Sequence, residues 1–583
     1  MTATSELAAL CATTSARLTE PSLADRVRAV ARQLDAPLEI AVAGAVSSGK
    51  STMVNALLGI RIAAVDAGEC TRIVTRYGYS ADHGSVEVQP RRGRVRALRL
   101  DGDGRLPREL GLPAEEIRAV RVGLDLPLLR NLTIVDTPGI DTVAVDNEAA
   151  ARRMVFGTDG AGRAQALVYV LRQLRRFDSD TLAEFRALSA TCGLSGANTL
   201  VVLSQIDRRG DAGDPWPVAR RLAANAQDRI RLSAYDVVPV VGLIAETALT
   251  RALSGADLAA LGELARLDPL DLDDALLDLT TFRDTADLPV TVETRRRLVD
   301  RLHRYGLLVA VRLLRARPTA GLDDLYRELL AHSGFGAMTG DAGIGHFLHH
   351  AEHLKCFAAL ADLRRISRLP CTAADRPALD TLATAVDAHH PGSPLHQLRI
   401  FAAVDAAARG ALPLDDDLTT ALLRLARHDD PARRLGLDPG TAPAGIAAAA
   451  RAAAACWRTR MSLAGPVGGT AHRAVQDVLA LLEELAREAP SPVAVDPATV
   501  EPVLDSPALP AEHRKALADL LAGATAAAQV GAAANAPAAE VTRRAGALAA
   551  RFRALLHGRP LPTAERRAVT VARDAYETIG TAP

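Results

Sequence analysis

The chain has 583 residues, 49% hydrophobic and 24% charged, the balance of a folded globular protein rather than a disordered or fibrous one. Its 69 Lys and Arg offset 69 Asp and Glu, so no net field draws it to nucleic acid, and nucleic acid is not an expected partner. Six cysteines, at 11, 70, 192, 356, 371 and 456, form no C-x-x-C pair and fit the reduced thiols of a cytoplasmic protein.

The N-terminus, MTATSELAALCATTSARLTE, lacks the basic start and apolar centre of a secretory signal. Spacing predicts an amphipathic helix over 22–35, with Ser22 as cap and Leu23, Val27, Val30 and Leu34 on one face. Next comes LEIAVAG, an apolar run that predicts a buried strand, followed by a loop and the helical pattern STMVNALLG. The loop reads Gly44-Ala45-Val46-Ser47-Ser48-Gly49-Lys50-Ser51, the G-x-x-x-x-G-K-[ST] pattern of a phosphate-binding loop. Its glycines let backbone N–H groups turn toward phosphate oxygens, and the helix N-terminus adds the positive end of its dipole. Lys50 is placed to reach the terminal phosphates and Ser51 to ligate Mg²⁺; Ser48 and Thr52 belong to the same nucleotide-binding set. Lysine occurs elsewhere only at 355 and 515, arginine filling the other basic positions, so lysine here answers a specific demand.

From 38 to about 245, strand and helix signals alternate. RIVTRYGY, NLTIVDT, ALVYVLR, NTLVVLSQ and YDVVPVVGL predict strands of a mostly parallel sheet with helices on both faces. VEVQPRRGRVRALRL, around 86–100, predicts an inserted hairpin. TIVDTPG puts Asp136 at a strand end, where it would hold the Mg²⁺ shell through water, and Gly139 where its N–H meets a γ-phosphate. In LVVLSQIDRRGD, Asp207 is placed to accept both guanine N–H groups, a pair adenine cannot offer. Gln205 stands where most GTPases carry lysine and can lie along the base by its methylene stem. One strand later Gly242 brings its backbone near the base. Four elements in order, each after a strand, read as a GTP-binding domain.

RLHRYGLLVAVRLL at 301–314 is expected to return to the sheet, which carries this domain to about 340. Beyond it strand signals stop, and helical runs rich in alanine, leucine and arginine are broken by prolines and glycines. No run of eighteen apolar residues occurs, so membrane association would have to be peripheral. The fold class expected is an α/β P-loop GTPase domain followed by an all-α region.

These features resemble the bacterial dynamin-like GTPases, in particular the actinobacterial isoniazid-inducible type. The resemblance rests on the 86 residues between Lys50 and Asp136, on AGECTRIVTRYG as a first switch, on YGLLVAVRLL followed by ELLAHSGF, and on helices flanking the core. It implies an N-terminal helical segment of the neck at 1–35, a G domain at 36–345 and a helical neck and stalk at 346–583. It implies that Thr71, with Thr75 as the alternative, closes over Mg²⁺, and that Ser47 touches a K⁺ or Na⁺ ion. Ser47, Lys50 and Thr71 are then the catalytic set, and Ser51, Thr71 and Asp136 the metal set. Val46 stands where eukaryotic dynamins position water with glutamine, which predicts slower turnover without lost binding. The resemblance further implies GTP hydrolysis on pairing of G domains, self-association or pairing with a sister dynamin, and membrane remodelling or maintenance at the inner membrane face, division included. The alternative is a soluble GTPase switch whose helical region binds a protein partner.

Two other constellations stand out. His346, His350 and His353, with His349 nearby, fall on one helix face and could bind a transition metal or line a solvated helix. The segment 543–573 carries eight arginines against one glutamate beside Leu548, Phe552, Leu555 and Leu556. Such a helix lies on anionic lipid or packs its apolar face into a bundle.

Overall fold

The computed structural model describes residues 3–44, 47–63, 73–107, 109–137, 164–171, 197–208, 213–230, 232–284, 288–341, 343–387, 396–408, 410–428, 430–463, 469–487, 492–533, 536, 538–558 and 560–581. They fall into two units, residues 1–388 and 389–583, each described by itself.

The first unit is built on a nine-stranded sheet of order β4-β3-β5-β2-β6-β1-β7-β8-β9. An inner strand is β1 (Leu38–Gly44), in which every residue but Glu39 is buried, as a strand covered on both faces requires. β1 pairs parallel with β6 (Leu132–Asp136) and β7 (Ala166–Leu171), and β8 (Thr199–Leu203) and β9 (Asp236–Pro239) extend that side in parallel. On the other side β2 (Thr75–Tyr79) runs antiparallel to β6 and parallel to β5 (Ile117–Leu124). The expected hairpin is present as β3 (Ser85–Pro90) and β4 (Arg96–Arg99), antiparallel at the sheet edge. β5 was not expected. Its IRAVRVGL alternates apolar residues with arginines, so its buried face is diluted in sequence, although Ile117, Val120, Val122 and Leu124 are all buried.

Two helices precede the sheet, α1 (Ala3–Arg17) and α2 (Pro21–Asp35). Leu23, Val27, Val30 and Leu34 are buried on α2 as expected, but Ser22 does not cap it. Pro21 holds the first turn, and the chain entering it is tied down by Asp375, which accepts from Thr19 N and Oγ1 at 2.6 and 2.8 Å and from Glu20 N at 3.2 Å. At the other end Lys355 Nζ donates to the Leu34 and Ala36 carbonyls at 2.7 and 3.1 Å. A cation at a helix C-terminus is worth about 0.3–1 kcal/mol.

Further helices are α3 (Lys50–Leu58), α4 (Trp216–Ile230), α5 (Gly242–Leu249), α6 (Gly255–Ala265), α7 (Pro269–Leu277), α8 (Leu279–Asp284), α9 (Val292–Ala316), α10 (Leu322–Ala331), α11 (Ile344–His349), α12 (Ala351–Ser367) and α13 (Arg376–Asp387), with a short helix, Phe335–Thr339, between α10 and α11. The segment 301–314 does not return to the sheet: it lies inside α9. Leu307 to Val311 are buried without a break, and such an apolar run reads alike as a covered strand or an all-round buried helix. α9 is not continuous. His303 sits at φ 52°, ψ −172°, a region nearly confined to glycine, which costs about 1–3 kcal/mol.

The regular structure among the second unit's described residues is helical and includes α14 (His396–Ala408), α15 (Asp416–Arg427), α16 (Pro443–Leu463), α17 (Gly469–Leu485), α18 (Ala511–Ala522), α19 (Ala538–Gly558) and α20 (Thr563–Thr581). Val541, Ala545, Ala549 and Phe552 bury one face of α19 against α20, with the Phe552 and Tyr576 rings 5.7 Å apart. The Tyr576 hydroxyl donates to the Ala516 carbonyl at 2.7 Å.

Candidate functional site

β1 ends on Gly44, whose φ of 151° and closeness to β7 both require glycine: a Cβ there would stand 2.2 Å from the Val170 carbonyl oxygen. The chain then turns through Ser47 (φ 58°) and Gly49 (φ 94°) into α3. Ala45 and Val46 lie outside the described residues. Lys50 is buried and its Nζ donates to the Gly44 carbonyl at 2.8 Å, so the ammonium is folded back into the loop. The Ser48 hydroxyl is buried with no hydrogen-bond partner among the described residues. Ser51 and Thr52 occupy the first turn of α3, half-buried.

Asp136 closes β6 opposite Val42 in the β1 register. Burial pushes its carboxyl up to about 7, and the Lys50 ammonium pulls the other way. Thr137 fixes the turn by donating from Oγ1 to the Val42 carbonyl at 3.0 Å. A buried ammonium, a half-buried carboxylate and an unsatisfied hydroxyl around a glycine-framed helix N-terminus fit a phosphate with a divalent cation. Thr71 and Gly139 lie outside the described residues. Thr75, the alternative to Thr71, opens β2 directly opposite Asp136 and is buried.

The loop after β8 is tied to the phosphate loop. The Ser204 hydroxyl lies 2.6 Å from the Ser48 carbonyl oxygen and 3.0 Å from that of Leu171, and Gln205 Nε2 donates to the Ser47 carbonyl at 3.0 Å. Gln205, at φ 52°, therefore grips the loop. Ser204 was not anticipated; its place just before Gln205 in Ser-Gln-Ile-Asp was the available signal. The Asp207 side chain is 4% exposed, and burial raises its carboxyl above the usual aspartate range. His303 Nδ1 lies 3.8 Å from Asp207 Oδ2, a neighbour that nothing in the sequence announced. A cavity of about 300 Å³ opens beside this pair, walled by α7–α9. Gly242 starts α5 against the first turn of α3: a Cβ there would meet Thr52 Cγ2 at 3.6 Å.

The histidine set does not converge on a metal. The helix breaks at His350, His346 Nε2 lies 3.0 Å from the Ala197 carbonyl oxygen, and the His346 ring stacks on Tyr235 at 3.8 Å. Among the described residues no group of three or more His, Cys, Asp or Glu is placed to hold a metal ion. The arginines of α19 meet carboxylates: Arg544 pairs with Glu540 at 2.8 Å, Arg551 with Glu512 at 3.6 Å and Arg553 with Glu577 at 2.6 Å.

The dynamin family model matches residues 40–204. The isoniazid-induced protein IniC from two strains of Mycobacterium tuberculosis is 32% identical over 451 residues, 75% of this chain and 87% of the relative. A chain of an oligomerised bacterial dynamin pair, described as a mechanism for the long-range sensing and tethering of membranes, is 13% identical. The match covers 70% of this chain and 78% of that chain at a TM-score of 0.28.

Proposed function

Because this chain belongs to the dynamin family as a bacterial dynamin-like protein, we propose that it binds GTP with Mg²⁺ and hydrolyses it to GDP and phosphate. The observation that carries this reading is the buried Lys50 ammonium facing Asp136 across a glycine-framed loop, with Asp207 buried on the loop bound to it. Lys50 and the loop N–H groups bind the terminal phosphates, with Ser48, Gly49 and Thr52 around them. Asp207 orients the base, and Gln205 and Ser204 hold the two loops in register. Gly139 and Gly242 complete the nucleotide set. Ser51, Asp136 and Thr71 would hold Mg²⁺, which would supply charge neutralisation at the phosphates. Ser47 would meet a K⁺ or Na⁺ ion.

In this proposal the G domain spans 36–345 and the segments 1–35 and 346–583 form a helical neck and stalk. The chain self-associates or pairs with a sister dynamin and remodels or maintains membrane from the inner face. No helix of the described residues is long and apolar enough to cross a membrane, so attachment would be peripheral. A second reading, a GTPase switch whose helical region binds a protein, is favoured by the carboxylates that already engage the α19 arginines.

Phosphate release from GTP, followed as protein concentration rises with and without potassium and anionic vesicles, tests both. The dynamin reading expects specific activity to climb several-fold with concentration, to need potassium and to respond to vesicles. Activity flat in all three favours the switch, and no release from GTP contradicts hydrolysis.

A further inference from the structure

The cavity beside Asp207 is lined by polar and charged side chains as well as apolar ones, a mixed lining that suits a flat heterocycle with a polar edge. Pro215, Leu276 and Leu308 furnish apolar surface, and Asp207, His303 and Tyr305 polar groups, with Arg208, Asp278, Thr280 and Arg304 also on the lining. Tyr305 is held by Trp216, whose Nε1 donates to its hydroxyl at 2.9 Å. His303 stands out twice. Its backbone breaks α9 at a positive φ that favours glycine, and its Nδ1 is buried with no hydrogen-bond partner among the described residues. Such a residue persists where its surroundings over-determine it, commonly at a ligand clamp.

We propose that this cavity receives the purine base of GTP and that His303 is a second base-reading residue, donating from Nδ1 to guanine O6 beside the Asp207 carboxylate. The proposal rests on the GTP reading above. Guanine presents N1–H, N2–H and O6 along one edge. A carboxylate accepts the first two, and the neighbouring O6 needs a donor. Nδ1 lies 3.8 Å from Asp207 Oδ2, the side-by-side placement that two adjacent edge groups call for. Burial and the nearby Arg208 lower His303 to about 4, so at neutral pH the ring is uncharged and carries one N–H. Adenine, with an amino group in place of O6, would set donor against donor. The apolar walls would cover the faces of the base. Leu276 is buried, whereas its neighbour Leu277 is 62% exposed.

Calorimetric titration with Mg²⁺ and either GTP or the triphosphate of 2-aminopurine riboside, which lacks O6 and the N1 proton, tests this. The variants are His303→Gly, which suits φ 52° and removes the imidazole, and His303→Phe, which keeps a ring without a donor. Melting temperatures report the fold. Each variant should lose about tenfold in GTP affinity, the scale of one hydrogen bond, with little change for the analogue. Unchanged GTP affinity, or equal losses for the two nucleotides, overturns the proposal and leaves the GTP reading standing. A wild-type chain that binds neither nucleotide overturns both.

Discussion

Asp207 is a carboxylate that folding alone disfavours. Its side chain is 4% exposed, and burial raises its carboxyl, so ionising it costs more in the folded chain than in water. Its folded pKa lies above the unfolded one. The stability it contributes is therefore present below the unfolded value and lost as pH rises through the folded value. Asp207→Asn should raise the melting temperature of the ligand-free protein at neutral pH while moving nucleotide preference from GTP toward XTP by about tenfold or more, roughly 1.4 kcal/mol. GTP affinity of the wild type should fall as pH drops through the raised pKa, and the variant should lack that step. Melting curves and competitive titrations across pH check both; a wild type that binds ATP as well as GTP would contradict the base assignment. Sequence gave the types and order of Lys50, Asp136 and Asp207 because each follows a strand at motif spacing. His303 was not legible, because only the fold brings the break in α9 to within 3.8 Å of Asp207, 96 residues earlier in the chain.

At the level of elements, the site depends on how tightly β1 lies against β7. Gly44 is opposite Val170 in that pair, and a methyl group at its Cα would overlap the Val170 carbonyl at 2.2 Å. The obstacle is backbone, so the strands themselves must part. Gly44→Ala should cost about 3 kcal/mol or more in denaturant unfolding, together with nucleotide binding. A loss below about 1 kcal/mol would mean the turn relaxes freely. The strand–loop–helix unit was legible because period and glycines agree there. β5 was not, since arginines divide its buried face, and 301–314 misled because an apolar run carries no period. The α2 cap was assigned to Ser22 by proximity in sequence, whereas Asp375 secures the chain entering that helix from far along it.

For the molecule as a whole, charge is balanced, and the proposed GTP site lies where the loops after β1 and β8 are tied together. In the proposed function, attachment of α19 to anionic lipid would have to compete with the carboxylates its arginines already meet, half-exposed pairs worth about 0–1 kcal/mol each. Thiols add no covalent constraint among the described residues. Cys11 and Cys356 are free and buried, and burial pushes them up to about 11 and about 12, which keeps them inert. Everything proposed for assembly and membranes stands on nucleotide binding at the loop after β1. The most direct measurement is titration of Mg²⁺ and GTP into the wild type and Lys50→Ala by calorimetry. The wild type should bind and the variant should lose about a hundredfold or more, because a charge-assisted phosphate contact is removed, while the melting temperature reports what losing the Lys50 bond to the Gly44 carbonyl costs the fold. Equal GTP affinity in the two proteins would contradict it.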